Sequence, residues 1–317
     1  MNVIQRISPY RHIIESQQFD KNYLDKILKL TDEIKNKKID VSSTLKGSVG
    51  ALLFYEASTR TRLSFESAIL RLGGSFIHTE NARDFSSSIK GETLSDSIRV
   101  ISDYADYIIL RHFDDDSSKV AVKHSNIPVI NAGSGKEQHP TQTLIDIYTI
   151  FQSFGRLTNL NIMLIGDLAH GRTCTSLIYL LAKFPNNKFC FVSPDNCRAR
   201  PNMTMHLKNN NVLFAEHSSL EQAMAEFDGD VLYVTRVQKE RFSSPSEYLK
   251  AKSQIIFKYQ HLSKLKEQAI IMHPLPRVDE IDHDIDTDPR VRYFEQTKNG
   301  LYVRMALLKM MYDSMKK

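Results

Sequence analysis

Cysteine is scarce in this chain. There are three in 317 residues, Cys174, Cys190 and Cys197, and none lies in a Cys-x-x-Cys pair. So low and odd a count argues against a disulfide framework and predicts a reducing, cytoplasmic home. Long apolar runs are missing too. The N-terminal stretch MNVIQRISPYRH has no apolar signal core. No apolar run approaches ~18 residues, so neither secretion nor a membrane span is expected. A strong excess of one charge is also lacking. The formal charge is +5, with lysines and arginines spread along the chain rather than gathered in a stripe or tail. Nucleic-acid binding is therefore not expected; a few cations gathered in an anion site account for the mild excess equally well. There is no repeat, no low-complexity tract, no His/Cys metal spacing and no Ser-His-Asp or Cys-His pattern.

What is present is a soluble globular composition, 41% hydrophobic and 25% charged, in a length that suits two ordinary domains. Short apolar runs read as strands at Gly47–Tyr55, Tyr107–Leu110, Ile127–Ile130, Asn161–Ile165, Phe189–Ser193, Asn211–Ala215, Val231–Thr235 and Ala269–Met272. Helical patterns lie between them. One runs from Ser58 to Leu72, with Phe65, Ile69 and Leu72 on one face and Gly73-Gly74 as the stop. A second carries Leu94, Ile98 and Ile101. A third runs from His139 to Phe154, carries Leu144, Ile147, Phe151 and Phe154, and stops at Gly155. This alternation predicts an α/β fold with parallel sheets covered on both faces. The third helix is the best connection between domains, because a new set of β-α units starts after it, at Asn161. A last helix near Gly300–Met315 could pack back on the first domain, although no residue pattern requires it.

The run EASTRTRLSFE, Glu56 to Glu66, follows the first strand and opens a helix at Ser58. A helix start offers N–H groups without intrahelical partners and a partial positive charge. Thr59, Arg60, Thr61 and Arg62 add side-chain donors. The stretch reads as an anion trap, best suited to phosphate, at the carboxyl end of a parallel strand; an N-cap with surface arginines fits local physics as well. Gly166–Thr173 nearly fits a P-loop, but Arg172 replaces the lysine and the strand Val231–Thr235 does not end in an acid. No strand-linked G-x-G-x-x-G is present. Other polar groups gather at strand ends: Arg111-His112, His139 with Gln142, Arg236 with Gln238 and Arg241, and a proline-rich turn reaching Arg277. The polar loop from Asn81 to Thr93 offers Ser86 and Lys90. Strand-end cations at Arg60, Arg111, Arg172 and Arg236 point to a strongly anionic ligand set, although each residue alone also fits a cap, an ion pair or a solvated turn.

Taken together, Phe54-Tyr-Glu-Ala-Ser-Thr-Arg-Thr-Arg62, Lys90-Gly-Glu-Thr93, His139-Pro-Thr-Gln142, Thr235-Arg-Val-Gln-Lys-Glu-Arg241 and His273-Pro-Leu-Pro-Arg277 are highly specific. The chain resembles the aspartate carbamoyltransferases, within the wider aspartate/ornithine carbamoyltransferase family, over almost its whole length. The resemblance implies two doubly wound parallel-sheet domains joined by connecting helices. Residues 1–138 would bind carbamoyl phosphate, with 290–317 packing back on them, and 139–289 would bind L-aspartate. It further implies that Ser58, Thr59, Arg60 and Thr61 hold the phosphate, joined by Ser86. Arg111, His139 and Thr61 would donate to the carbonyl oxygen, and Gln142 with the backbone carbonyls of Leu275 and Pro276 would fix the carbamoyl NH₂. A cis bond is expected at Leu275–Pro276. Arg172, Arg236 and Gln238 would bind aspartate, with Lys90 contacting both substrates. No cofactor or metal is implied. The implied assembly is a homotrimer with shared active sites, and a separate regulatory chain is a possible further partner, with Phe113–His124 lying where it would dock.

Overall fold

The computed structural model describes residues 10–136, 138–237 and 242–316. They divide into two compact units, Met1–Ile145 with Lys298–Lys317, and Asp146–Thr297. The divisions fall inside two helices, later than the junctions near 138 and 290 read from the sequence.

The first unit is built on a four-stranded parallel sheet of β1 (Val49–Phe54), β2 (Ser75–Glu80), β3 (Tyr107–His112) and β4 (Val129–Ser134), in the order β2-β1-β3-β4. Its helices are α1 (Lys21–Lys35), α2 (Thr59–Arg71), α3 (Ala82–Phe85), α4 (Leu94–Ser102), α5 (Ser117–His124), the start of α6 (Pro140–Phe154) and the end of α11 (Tyr293–Met315). Successive residues Ala51, Leu52, Leu53 and Phe54 are all buried, so β1 is covered on both faces. That explains its unbroken apolar run. One face packs Ala51, Leu53, Ile108 and Leu110 against Ile98 of α4 and Ala121 of α5. α11 brings Gly300 against Ile145 and lays the Arg304 guanidinium 4.9 Å from the centre of the Phe65 ring. The end of the final helix, from Lys298 on, thus belongs to the first unit. β2 was not expected. It is an edge strand, SFIHTE, with largely exposed side chains, so it lacks the apolar signature that marks its neighbours.

The second unit has a five-stranded parallel sheet of β5 (Asn161–Ile165), β6 (Lys188–Val192), β7 (Leu213–His217), β8 (Val231–Val234) and β9 (Ile270–Met272), in the order β7-β6-β5-β8-β9. α7 (Arg172–Leu181), α8 (Pro201–Asn209), α9 (Leu220–Glu226) and α10 (Pro245–Ser253) accompany it. Met163, Ile165, Cys190, Val192, Leu232 and Val234 form the centre of its core. Among the described residues no helix is long and apolar enough to cross a membrane.

Candidate active site

In the first unit, β1 has β2 on one side and β3 on the other, so the direction of winding reverses between β1 and β3. Ligands of open α/β sheets bind outside the carboxyl ends of the strands at such a switch. Three adjacent strands deliver the expected residues to that edge. Ser58–Thr61 follow β1, Arg111 ends β3, and His139 follows β4. Phe54 pairs with Arg111, the Tyr55 N–H donates to the Arg111 carbonyl at 2.8 Å, and His112 pairs with Ser134. The β3–β4 register shifts between Leu110 and His112, so Arg111 sits at an irregularity of the kind that re-aims a side chain.

The start of α2 presents a helix N-terminus at this edge. Ser58 occupies the N-cap position, but its side chain accepts no capping hydrogen bond, contrary to the usual use of serine there. Thr61 is buried, whereas Thr59 and Arg60 are exposed. Partial enclosure lowers the Arg60 guanidinium below its usual range, with no charged neighbour contributing; it remains a cation. Arg62 is not part of the trap that its sequence neighbours suggest. Its Nη1 pairs with Glu66 Oε1 at 2.9 Å and its Nη2 with Glu80 Oε2 at 2.7 Å, which ties α2 to β2. Arg111 is half-buried and held by Glu56 Oε2 at 3.2 Å from Nη2. Glu56 is therefore a positioning residue that the sequence did not single out. His139 is buried, and its carbonyl accepts from the N–H groups of Gln142 at 3.0 Å and Thr143 at 3.2 Å, fixing the first turn of α6. His112 serves packing instead. Its ring lies 4.6 Å from that of Tyr55 and 4.2 Å from that of Phe113. Ser86 and Lys90 lie on the segment that leaves β2, beyond the same strand edge. The Ser86 hydroxyl donates to the Ala82 carbonyl, and Lys90 is exposed at the end of a short 3₁₀ turn.

In the second unit the winding reverses between β5 and β8. Arg172 is the first residue of α7, after the β5 turn, and Arg236 stands just past β8. Leu275 and Pro276 follow β9, so again three neighbouring strands present the expected groups at one edge. The Leu275–Pro276 bond is cis, as expected. Gln238 lies outside the described residues. Two groups not anticipated brace the turn before α7. Buried Asp167 accepts from the His170 N–H at 3.0 Å, and the Cys197 carbonyl accepts from Leu168 N–H at 2.9 Å and Ala169 N–H at 3.1 Å. Arg277, also prominent in the sequence, is structural. It pairs with Asp286 and donates to the Tyr293 hydroxyl at 2.8 Å. Cys174, two residues past Arg172, is no nucleophile, since burial pushes its thiol up to about 12. Among the described residues no group of three or more His, Cys, Asp or Glu is placed to hold a metal ion.

Gly166 lets the two arginine-bearing segments approach each other. Its φ is +131°, and a Cβ there would lie 2.3 Å from the Thr235 carbonyl oxygen. Gly166→Ala should destabilise the chain by about 2 kcal/mol. It should also raise KM for the ligand of Arg172 and Arg236. Thermal melting with steady-state kinetics checks this, and an unchanged melting temperature would refute the crowding argument.

Residues 11–152 match the aspartate/ornithine carbamoyltransferase carbamoyl-P binding domain, and residues 158–311 match the Asp/Orn binding domain of the same family. The chain is 48% identical over 302 residues to aspartate carbamoyltransferase 3, chloroplastic, of Pisum sativum, covering 94% of this chain and 77% of that protein. It is 45% identical over 298 residues to the aspartate carbamoyltransferase catalytic subunit of Clostridium kluyveri, covering 94% and 96%. Among solved structures, the catalytic subunit of M. jannaschii aspartate transcarbamoylase superposes with a TM-score of 0.87 at 45% identity, covering 96% of this chain and 98% of that one. The Trypanosoma cruzi enzyme in complex with N-(phosphonacetyl)-L-aspartic acid superposes at 0.86 with 35% identity, covering 94% of each. The chain belongs to the aspartate/ornithine carbamoyltransferase family.

Proposed function

We propose that this chain carries out the aspartate carbamoyltransferase reaction through the residues placed above. The carbamoyl group of carbamoyl phosphate passes to the amine of L-aspartate, giving N-carbamoyl-L-aspartate and phosphate, an early step of de novo pyrimidine synthesis. The observation that carries the assignment of residues is the repeated delivery of cations and polar groups by three adjacent strands to the carboxyl edge of each sheet. Carbamoyl phosphate is a dianion, and so is aspartate with its amine deprotonated for attack. Fixed cations must offset their repulsion before chemistry begins. Ser58, Thr59, Arg60 and Thr61 take the phosphate at the start of α2, with Ser86 joining them. Arg111, His139 and Thr61 donate to the carbonyl oxygen, where negative charge grows as nitrogen attacks; such preorganised donors commonly contribute ~3–4 kcal/mol each to lowering the barrier. Gln142 and the carbonyls of Leu275 and Pro276 accept from the carbamoyl NH₂. Arg172, Arg236 and Gln238 bind the two carboxylates of aspartate, because the guanidinium fork matches a carboxylate at two points. Lys90 contacts both substrates. The leaving phosphate takes the amine proton, so positioning and electrostatics supply most of the rate.

An assay with carbamoyl phosphate and either aspartate or ornithine tests the substrate. Arg236 and Lys239 would repel the cationic end of ornithine, and preference for ornithine would overturn the reading. Arg236→Ala should raise KM for aspartate roughly 10- to 150-fold, the loss of one charge-assisted contact. KM for carbamoyl phosphate should stay within about threefold, since its phosphate contacts lie elsewhere. Equal losses for both substrates would mean that Arg236 serves the fold or the phosphate.

The working form is a homotrimer in which Ser86 and Lys90 complete a neighbour's site. The length and polarity of the 81–93 segment and the exposure of Lys90 support this. A cytoplasmic location fits three buried cysteines that form no disulfide; activity recovered from a membrane-bounded compartment would refute it. A regulatory chain docking over 113–124 remains a testable addition, by sizing the purified protein alone and with candidate partners.

A further inference from the structure

The turn that follows β9 is fixed by side chains that the reaction scheme above does not use. His273 is buried immediately after β9, and its Nδ1 accepts the Leu275 N–H at 2.8 Å. A ring nitrogen that accepts carries no proton, so in the neutral ring the proton sits on Nε2. Nε2 faces Glu280 Oε1 at 2.7 Å, and Glu280 is buried as well. The other oxygen of Glu280, Oε2, accepts the N–H groups of Val278 and Asp279, each at 3.1 Å. One carboxylate therefore clasps both ends of the 273–280 turn. Burial works to raise this carboxyl, but the His273 bond and the backbone N–H groups outweigh it and hold it below the usual carboxylate range. A second anchor is independent of the clasp. The His273 N–H donates to Gln296 Oε1 at 3.1 Å, Gln296 Nε2 donates to buried Asp146 Oδ1 at 2.6 Å, and the Tyr233 hydroxyl donates to Asp146 Oδ2 at 2.9 Å. Between these anchors Leu275 stands at φ +53°, in the left-handed region that a leucine seldom enters unaided.

We infer that Glu280 is a positioning residue for the carbamoyl group. By holding His273 in its Nε2–H form, it keeps Nδ1 available to the Leu275 N–H and so aims the Leu275 and Pro276 carbonyls. The inference rests on the reading that those carbonyls accept from the carbamoyl NH₂. Inorganic phosphate shares the phosphate cradle but has no NH₂, so it reports on the cradle alone.

Glu280→Gln preserves size and removes the clasp. Its single side-chain oxygen can serve His273 or the Val278 and Asp279 N–H groups, but not both. If the oxygen turns to the backbone, the amide NH₂ faces Nε2 and favours the Nδ1–H form of His273, which can no longer accept from Leu275. The expected result is an affinity for carbamoyl phosphate about tenfold weaker, the loss of one or two aimed hydrogen bonds. Competitive inhibition by inorganic phosphate should change by less than about twofold, because its contacts are untouched. The ¹⁵N signals of the His273 ring should move from the Nε2–H to the Nδ1–H pattern. His273→Asn is a second variant. An asparagine side chain can accept the N–H two residues on, so in that background Glu280→Gln should add no further loss. The inference is overturned if carbamoyl phosphate and phosphate weaken together, if neither weakens, if the ring keeps its tautomer, or if the two substitutions act additively. If the unaltered protein binds carbamoyl phosphate no better than phosphate, the carbonyl reading falls and takes the inference with it. Retained discrimination in Glu280→Gln, by contrast, sinks the inference alone.

Discussion

Arg60→Ala should weaken the binding of carbamoyl phosphate roughly 10- to 150-fold while the protein stays folded. Arg60 stands in the first turn of α2, beyond the carboxyl end of β1, and no charged neighbour influences it. By contrast, Arg62 is occupied by Glu66 and Glu80, and Arg111 is braced by Glu56. An arginine set among N–H groups with no local carboxylate to satisfy it is suited to an incoming anion. Truncation removes one charge-assisted contact, typically ~1.5–3 kcal/mol, or roughly 10- to 150-fold in affinity. Loss of the same cation from the transition state adds to the fall in turnover. The fold should tolerate the change, since an exposed side chain that neither caps the helix nor fills a core usually alters stability by no more than about 0.5 kcal/mol. Equilibrium binding with melting as a control decides the matter. Affinity retained within about threefold of the unaltered chain would sink the phosphate assignment.

The second large effect is a recovery. Arg60→Ala and Lys90→Ala should each be nearly inactive alone, yet a mixture should regain activity if sites are shared between neighbours. In the proposed closed ring the body of one chain would meet the 81–93 segment of the next. A site is whole when its body comes from the Lys90→Ala chain and its loop from the Arg60→Ala chain. Random reassembly of equal amounts gives that for about a quarter of sites, so activity should rise to roughly that fraction of the unaltered enzyme. Gentle dissociation and mixing, with labelled subunits to prove exchange, performs the test. A mixture as inactive as its parents, despite exchange, would place Lys90 within its own chain or outside the site.

Buried parallel strands were the most legible part of the sequence. β5 was read to the residue, and β1, β6, β8 and β9 to within two, because strands covered on both faces must be apolar throughout. β2 escaped because an exposed edge strand can be polar and still hydrogen-bond to its neighbour. β4 was read early, and its buried end Asn131–Ser134 was missed because polar residues there are satisfied locally. The Asn131 amide donates to the Ile14 carbonyl at 2.9 Å and accepts the Gly133 N–H at 2.8 Å. The family resemblance assigned Arg60 and left Arg62 out, but local residue chemistry alone did not separate the two. The placement of Glu66 and Glu80 against Arg62 supplies the physical reason. Glu56 and Glu280 were invisible for a similar reason. Each works by holding another side chain, and that relation exists only once the chain has folded.

The two units differ in how they are written along the chain, and this has a consequence for synthesis. Asp146–Thr297 is continuous, whereas the first unit takes back Lys298–Lys317 from the far end. On the ribosome the second unit has all its residues before the first does. Until the tail emerges, Phe65 lacks Arg304, Ile145 lacks Gly300, and the sites of buried Val303, Ala306, Leu307 and Met311 stand open. A premature stop at or before codon 303 would therefore damage the first unit, whose other residues are encoded upstream of the second, and spare the second.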